Sequence, residues 1–179
     1  MSFGFAEDQL AIQTAITKAY SHKNRQILFF AGAANEGLNE REMYPARDEH
    51  VFPIRVTNHL GKWSGSNPEV EMAQGWSFMT LGQDLPSISR HESVTGSSYA
   101  TPIAAGFAAM ILAEVRRLLY ASTSDRDVEL IRRISRKDGM RKVLKNLSVG
   151  TIFQCSYLNP MSLDSKSEGE RLDVFRSAI

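Results

Sequence analysis

Apolar positions change their period several times along the chain. Between Ala6 and Lys23, the residues Leu10, Ala11, Ala15, Ile16 and Ala19 recur at helical spacing and predict a helix. The run Ile27 to Ala31 (ILFFA) is short and continuously apolar, which predicts a buried strand. Val51 to Thr57 predicts a second strand, and Val70 to Met72 and Trp76 to Leu81 predict two short ones parted by Gly75. A polar loop from Gly82 to Gly96 then leads into a long apolar helix over Ser98 to Tyr120. Val128 to Arg136 and Gly139 to Leu147 read as two further helices. From Pro160 onward the sequence turns polar and reads as a loosely held tail, with at most one weak helical turn. Short apolar runs alternating with helical stretches make the class α/β.

Length and charge narrow the functional classes. At 179 residues, with 42% hydrophobic and 23% charged, the chain has the size and balance of one globular domain. Its net charge of +1 argues against a general polyanion binder, so no nucleic-acid partner is expected. One cysteine, Cys155, excludes an internal disulfide and a four-cysteine metal site, and reads as a buried structural thiol. Glu69, Glu71 and Asp84 form no spaced ligand set, so neither a metal nor another cofactor is expected. The longest apolar run, Ile103 to Ala113, is shorter than the roughly 20 residues a membrane span takes, so no membrane partner is expected. No basic start followed by an apolar stretch marks a signal peptide, which favours an intracellular location if Met1 is the true start. Basic residues from Arg116 to Lys145 repeat at helical spacing and read as a solvated helix face.

The most informative segment is Thr95 to Pro102, TGSSYATP, which opens the alanine-rich helix. A serine at a helix N-terminus lies among backbone N–H groups that lack internal partners. Negative charge developing on a substrate oxygen is stabilised there. Gly96 permits a close backbone approach, and Pro102 reads as a first-turn residue that costs no helix hydrogen bond. The helix is small-sided nearly all round, so it can be packed closely on every side, as in the centre of a domain. Taken alone, the segment fits an ordinary cap on a core helix better than it fits a catalytic site.

Several spaced motifs in order change that balance. TGSSYATP resembles the Gly-Thr-Ser-x-Ala-x-Pro nucleophile motif of the subtilisin-like serine peptidases, with Ser98 at the nucleophile and Ser97 at the usual threonine. FFAGAANEG is similar to the family's strand-then-AAGNEG segment, with Asn35 at the oxyanion asparagine. MYPARDEHVFPIRVTN matches the family's YPA loop and following strand, and WSGSNPEVEMAQGWSFMTL is similar to a later stretch in which Gln74 replaces a proline. MSFGF resembles the family's substrate-lining edge. The resemblance is strongest over residues 1–120. It implies for residues 1–158 the C-terminal part of a subtilisin-like peptidase domain of three layers with a mainly parallel sheet, incomplete at its N-terminus, and leaves 159–179 as the polar tail.

What the resemblance implies is serine-type endopeptidase chemistry on a polypeptide substrate. Ser98 would attack a peptide carbonyl, and the Asn35 amide and Ser98 backbone N–H would hold the oxyanion. Ser2, Phe3 and Gly4 would pair with an extended substrate, and Ala33 and Ala34 would line the primary specificity pocket. Ala34 stands where the family has glycine, which narrows that pocket. The family's Asp-Thr-Gly and His-Gly-Thr motifs, which supply the orienting carboxylate and the base, do not occur. His91, seven residues before Ser98, reads as a solvated loop residue, and His22, His50 and His59 as surface residues. The chain is therefore expected to begin inside a catalytic domain, to belong with further domains, and to be inactive by itself. The alternative is a non-catalytic interaction module or pseudopeptidase of the same fold, docking a partner through its basic helices and tail.

Overall fold

The apolar runs become a sheet. The computed structural model describes residues 1–22, 27–38, 41–70, 77–87, 92–122 and 124–178. β1 (Phe29–Gly32), β2 (Val51–Thr57) and β3 (Ser77–Leu81) lie side by side and parallel. The loop after β3 holds a small antiparallel pair, β4 (Leu85–Pro86) with β5 (Ser93–Val94). A hairpin of β6 (Thr151–Ile152) and β7 (Cys155–Tyr157) completes the main sheet, with β7 parallel to β3. The spatial order is β1-β2-β3-β7-β6. Every residue of β2 is buried, as expected of a central parallel strand covered on both faces.

Helices cover the two faces. α1 (Leu10–Ser21) lays Ile16 against Ala31, Ala46 and Val51 on one side. On the other, α2 (Ser97–Leu118) packs Ala100, Ala104, Phe107, Ala108, Ile111 and Val115 against Phe30, Phe52, Ile54 and Phe78. α3 (Asp125–Ile134) and α4 (Lys137–Leu147) add Leu130, Ile134, Met140, Val143 and Leu144 to the same core. This is a three-layer α/β arrangement with a mainly parallel sheet. Cys155 is fully buried on β7, and burial pushes its thiol up to about 11.

Three expectations need correction. α2 starts at Ser97, so Pro102 lies inside the helix in its second turn and does interrupt the backbone ladder. α2 is also not packed all round: Pro102, Gly106, Ala109 and Met110 face outward. Among the described helices it has the length and hydropathy of a membrane span, yet its opposite face is core. Finally, residues 159–178 are not a loose tail. They form α5 (Met161–Asp164) and α6 (Glu168–Arg176), with Leu163, Phe175 and Ala178 in the main core. Ser167 and Glu170 cap α6 reciprocally, a sequence signature hidden in a polar stretch. The predicted strand at Val70 to Met72, Trp76, and His91 fall wholly or partly outside the described residues.

α6 is tied to α2 by charge as well as by Phe175. Arg171 donates to Glu114 at 2.7 Å, and Arg117 donates to both Glu114 and Glu168. The Arg117 hydrogen bond, opposed by desolvation and reinforced by Arg171, holds the Glu114 carboxyl at about 2, against an ordinary 4.5. A carboxyl lowered on folding stabilises the fold above its unfolded value and loses that contribution as pH falls towards the folded one. The melting-temperature difference between this chain and Glu114→Gln is therefore expected to be constant above about pH 5 and to vanish near pH 2. A difference unchanged down to pH 2 would sink the assignment.

Candidate active site

The site lies at the carboxyl ends of the parallel strands, where crevices form in open α/β sheets. β1 ends in Gly32, and the chain continues through Ala33 and Ala34 to Asn35. β3 ends beside Gly82, whose N–H donates to the Thr57 carbonyl and whose carbonyl accepts the Gly96 N–H at 2.9 Å. These bonds fix the N-terminus of α2 over the sheet. Two glycines allow the approach. A Cβ on Gly32 would lie 2.7 Å from Ser97 Oγ, and one on Gly82 would lie 2.9 Å from Ala100 Cβ.

Asn35 caps α2 from outside the helix. Its Oδ1 accepts the Ser97 backbone N–H at 2.7 Å, while Glu36 accepts the Asn35 N–H at 2.8 Å. The atom facing an N–H must be the amide oxygen, so the amide nitrogen points elsewhere. Among the described residues, neither Asn35 Nδ2 nor the Ser98 N–H has an acceptor. Asn35 is exposed and Ser98 half-buried, so both donors are reachable from solvent. Two unpaired donors at one helix N-terminus can stabilise an oxygen that gains negative charge.

The first five residues wrap this corner. The Met1 amino group donates to Phe30 O at 2.5 Å, and Met1 O accepts the Gly32 N–H at 3.1 Å. At the other end Phe5 and Tyr44 exchange two backbone bonds of 2.8 and 2.9 Å. Between these anchors the backbone groups of Ser2, Phe3 and Gly4 have no partner among the described residues and are exposed. Exposed, unpaired backbone groups of this kind can accept a further strand. The Ser2 hydroxyl donates to Ser98 O at 3.2 Å. Pro102 has no N–H to offer that carbonyl, so Ser2 takes the place of the missing helix donor. Ala33 and Ala34 are buried behind Asn35.

The structure thus brings Ser2, Asn35 and Ser98 together, with Gly4, Ala33 and Ala34 alongside. Sequence reading overlooked Gly32 and Gly82, whose signal was a glycine at the end of a strand. It also overlooked Ser97 as the anchor of the Asn35 amide. No histidine or carboxylate among the described residues bonds to Ser98. His50 instead stacks on Tyr20 at 4.1 Å between ring centroids. A mainly apolar cavity of about 520 Å³, bordered by Leu38, Trp63, Val70 and Phe153, includes neither Ser98 nor Asn35 in its lining.

Comparison with known proteins bears on the family. A family model described as the subtilase family matches residues 1–151. The chain belongs to the subtilase family. It is 28% identical over 116 residues to the subtilisin-like protease het-Q2 of Podospora anserina, covering 61% of this chain and 31% of that protein. It is 28% identical over 102 residues to a cell wall-associated protease of Bacillus subtilis, covering 55% and 11%. The chain therefore matches less than a third of the length of either relative. Its fold is that of the PatA protease domain, with a TM-score of 0.68 at 18% identity, covering all of this chain and 59% of that one. The prenylagaramide maturation protease PagA is similar, with a TM-score of 0.65 at 18% identity, covering 95% and 58%.

Proposed function

We propose that this subtilase chain carries the nucleophile and the oxyanion site of a serine endopeptidase. Ser98 Oγ attacks the carbonyl carbon of a peptide bond and gives its proton to a base. The carbonyl oxygen becomes an oxyanion held by Asn35 Nδ2 and the Ser98 N–H. Collapse expels the amine and leaves an acyl-enzyme that water hydrolyses. Ser2, Phe3 and Gly4 pair with the extended substrate, and its side chain enters between Gly4 and Ala33–Ala34. The observation that carries this reading is the Asn35 amide, anchored through Oδ1 on Ser97 so that Nδ2 is left beside an equally free Ser98 N–H.

A serine without a base is a weak nucleophile. Residues 1–179 alone are therefore expected to remain unlabelled by a fluorophosphonate probe and to hydrolyse no peptide above background. Preceded by a segment carrying the family's Asp and His motifs, the chain is expected to label at Ser98, and Ser98→Ala should abolish labelling. Labelling of Ser98 in the isolated chain would place the base within these 179 residues. Labelling undiminished by Ser98→Ala would remove Ser98 from the role.

A further inference from the structure

The chain leaves the sheet just before Asn35, and a side chain fills the gap it leaves. Gly32 is the last β1 residue opposite β2, and the Ala33 N–H makes the final bond, to Ile54 O at 2.9 Å. Alternate residues of a parallel strand turn their N–H and C=O groups to the same side. Val56 therefore faces β1 as Ile54 does, but no β1 residue lies opposite it. The Asn67 amide takes that place: its Oδ1 accepts the Val56 N–H and its Nδ2 donates to Val56 O, both at 2.7 Å. Asn67 has no solvent contact. The loop that carries it also catches the chain beyond Asn35. The Asn67 N–H donates to Ser64 O at 3.1 Å, and Ser66 O accepts the Gly37 N–H at 2.9 Å. Gly37 has a φ of 80°, and a Cβ there would lie 3.1 Å from Gly65 O, so the joint takes glycine.

We propose that Asn67 is a positioning residue for the oxyanion site, fixing the excursion through Ala34, Asn35 and Glu36 that brings Asn35 Nδ2 beside the Ser98 N–H. The proposal rests on the reading of those two groups as oxyanion donors. Asn67 acts through others. The excursion starts from a bond on Ile54 and ends on the loop that Asn67 fastens to Val56. Asn35 is exposed, and its side chain is steered by the Oδ1 bond to Ser97, so the placement of its backbone decides where Nδ2 points. A donor misplaced by about 1 Å costs on the order of 100-fold in rate.

The test is a double-mutant cycle in a catalytic domain in which a preceding segment supplies Asp and His, with nuclear magnetic resonance on the 179-residue chain beside it. Asn67→Ser removes both amide bonds without burying a charge. It is expected to lower turnover about 10- to 100-fold with KM nearly unchanged, and to cause no further loss once Asn35 is replaced by alanine. A residue that only stabilises the fold would act equally in both backgrounds. In the chain, the Asn35 side-chain amide and Ser97 N–H signals should move with Asn67→Ser and stay in place with Val143→Ala, a core truncation on α4. Asn67→Asp serves where the serine variant does not fold. Its protonated carboxyl can accept from the Val56 N–H and donate to Val56 O, so the Asn35 and Ser97 signals should match the parent chain at low pH and move as the carboxyl ionises. Equal losses with and without Asn35, or Asn35 and Ser97 signals unmoved by either substitution, would overturn the role of Asn67 and leave the site reading intact. Unfolding of the whole chain on ionisation, with no pH range in which those signals move by themselves, would overturn it too. Turnover unchanged by Asn35→Ala itself would overturn the site reading and this proposal with it.

Discussion

In a catalytic domain in which a preceding segment supplies Asp and His, Asn35→Ala is expected to lower turnover about 100- to 1,000-fold and leave KM nearly unchanged. That magnitude is taken from the oxyanion asparagine of subtilisin, a member of this same family. The split between turnover and KM follows because the hydrogen bond strengthens as charge develops on the carbonyl oxygen. Alanine also removes Oδ1 from the Ser97 N–H, so some stability is lost with the cap. Asn35→Asp separates the effects. It keeps an acceptor for Ser97 but replaces the Nδ2 donor with a second, negatively charged acceptor. Turnover should fall at least as far as with alanine, while the melting temperature stays near that of the unsubstituted protein. If Asn35 were only a turn residue, both variants would shift melting temperature and leave turnover alone.

Replacing Arg55 with Met is expected to destabilise the chain by about 3–5 kcal/mol, measured by urea unfolding. Arg55 and Glu42 are both essentially without solvent contact, and Nη2 lies 3.0 Å from Glu42 Oε1. The same nitrogen donates to Glu69 O at 3.1 Å. Removing the guanidinium takes the Arg55 charge away from a buried carboxylate, and the reverse single change, Glu42→Leu, takes the carboxylate away from a buried guanidinium. A buried pair must pay desolvation for both charges, so the double replacement should recover most of the loss. The Glu69 carbonyl stays without its donor and keeps recovery from being complete. Two single variants each losing under about 1 kcal/mol would show that the pair is not sealed from water. Glu42 precedes Met43, so this ion pair anchors the segment that abuts Gly4.

The three strands β1, β2 and β3 were legible because each rests on local pattern. Val51 to Thr57 reads as apolar, and β2 has those bounds. The helix after Gly96 was plain from its alanines, but its outward face was not, because small residues carry little information about what lies beside them. The hairpin of β6 and β7 escaped notice because Phe153 and Gln154 take positive φ without the Asn-Gly that usually announces such a turn. α6 escaped because its buried residues are few against a charged background. At the site, the types and spacing of Asn35 and Ser98 were readable. Which atom of the Asn35 amide faces Ser97, and which side chain fills the space at Gly4, depend on contacts across 62 and 39 positions of chain respectively.

Pro102 sits four residues after Ser98, where a helix would normally close its ladder. By withholding an N–H it turns an internal acceptor into an external hook, and Ser2 hangs from it. The carbonyl of the proposed nucleophile is thereby fastened to the edge on which a substrate would lie. In the proposed site, displacement of either one would be felt by the other through a single oxygen atom, so seating a peptide along Ser2 to Gly4 and aiming Ser98 would not be independent events.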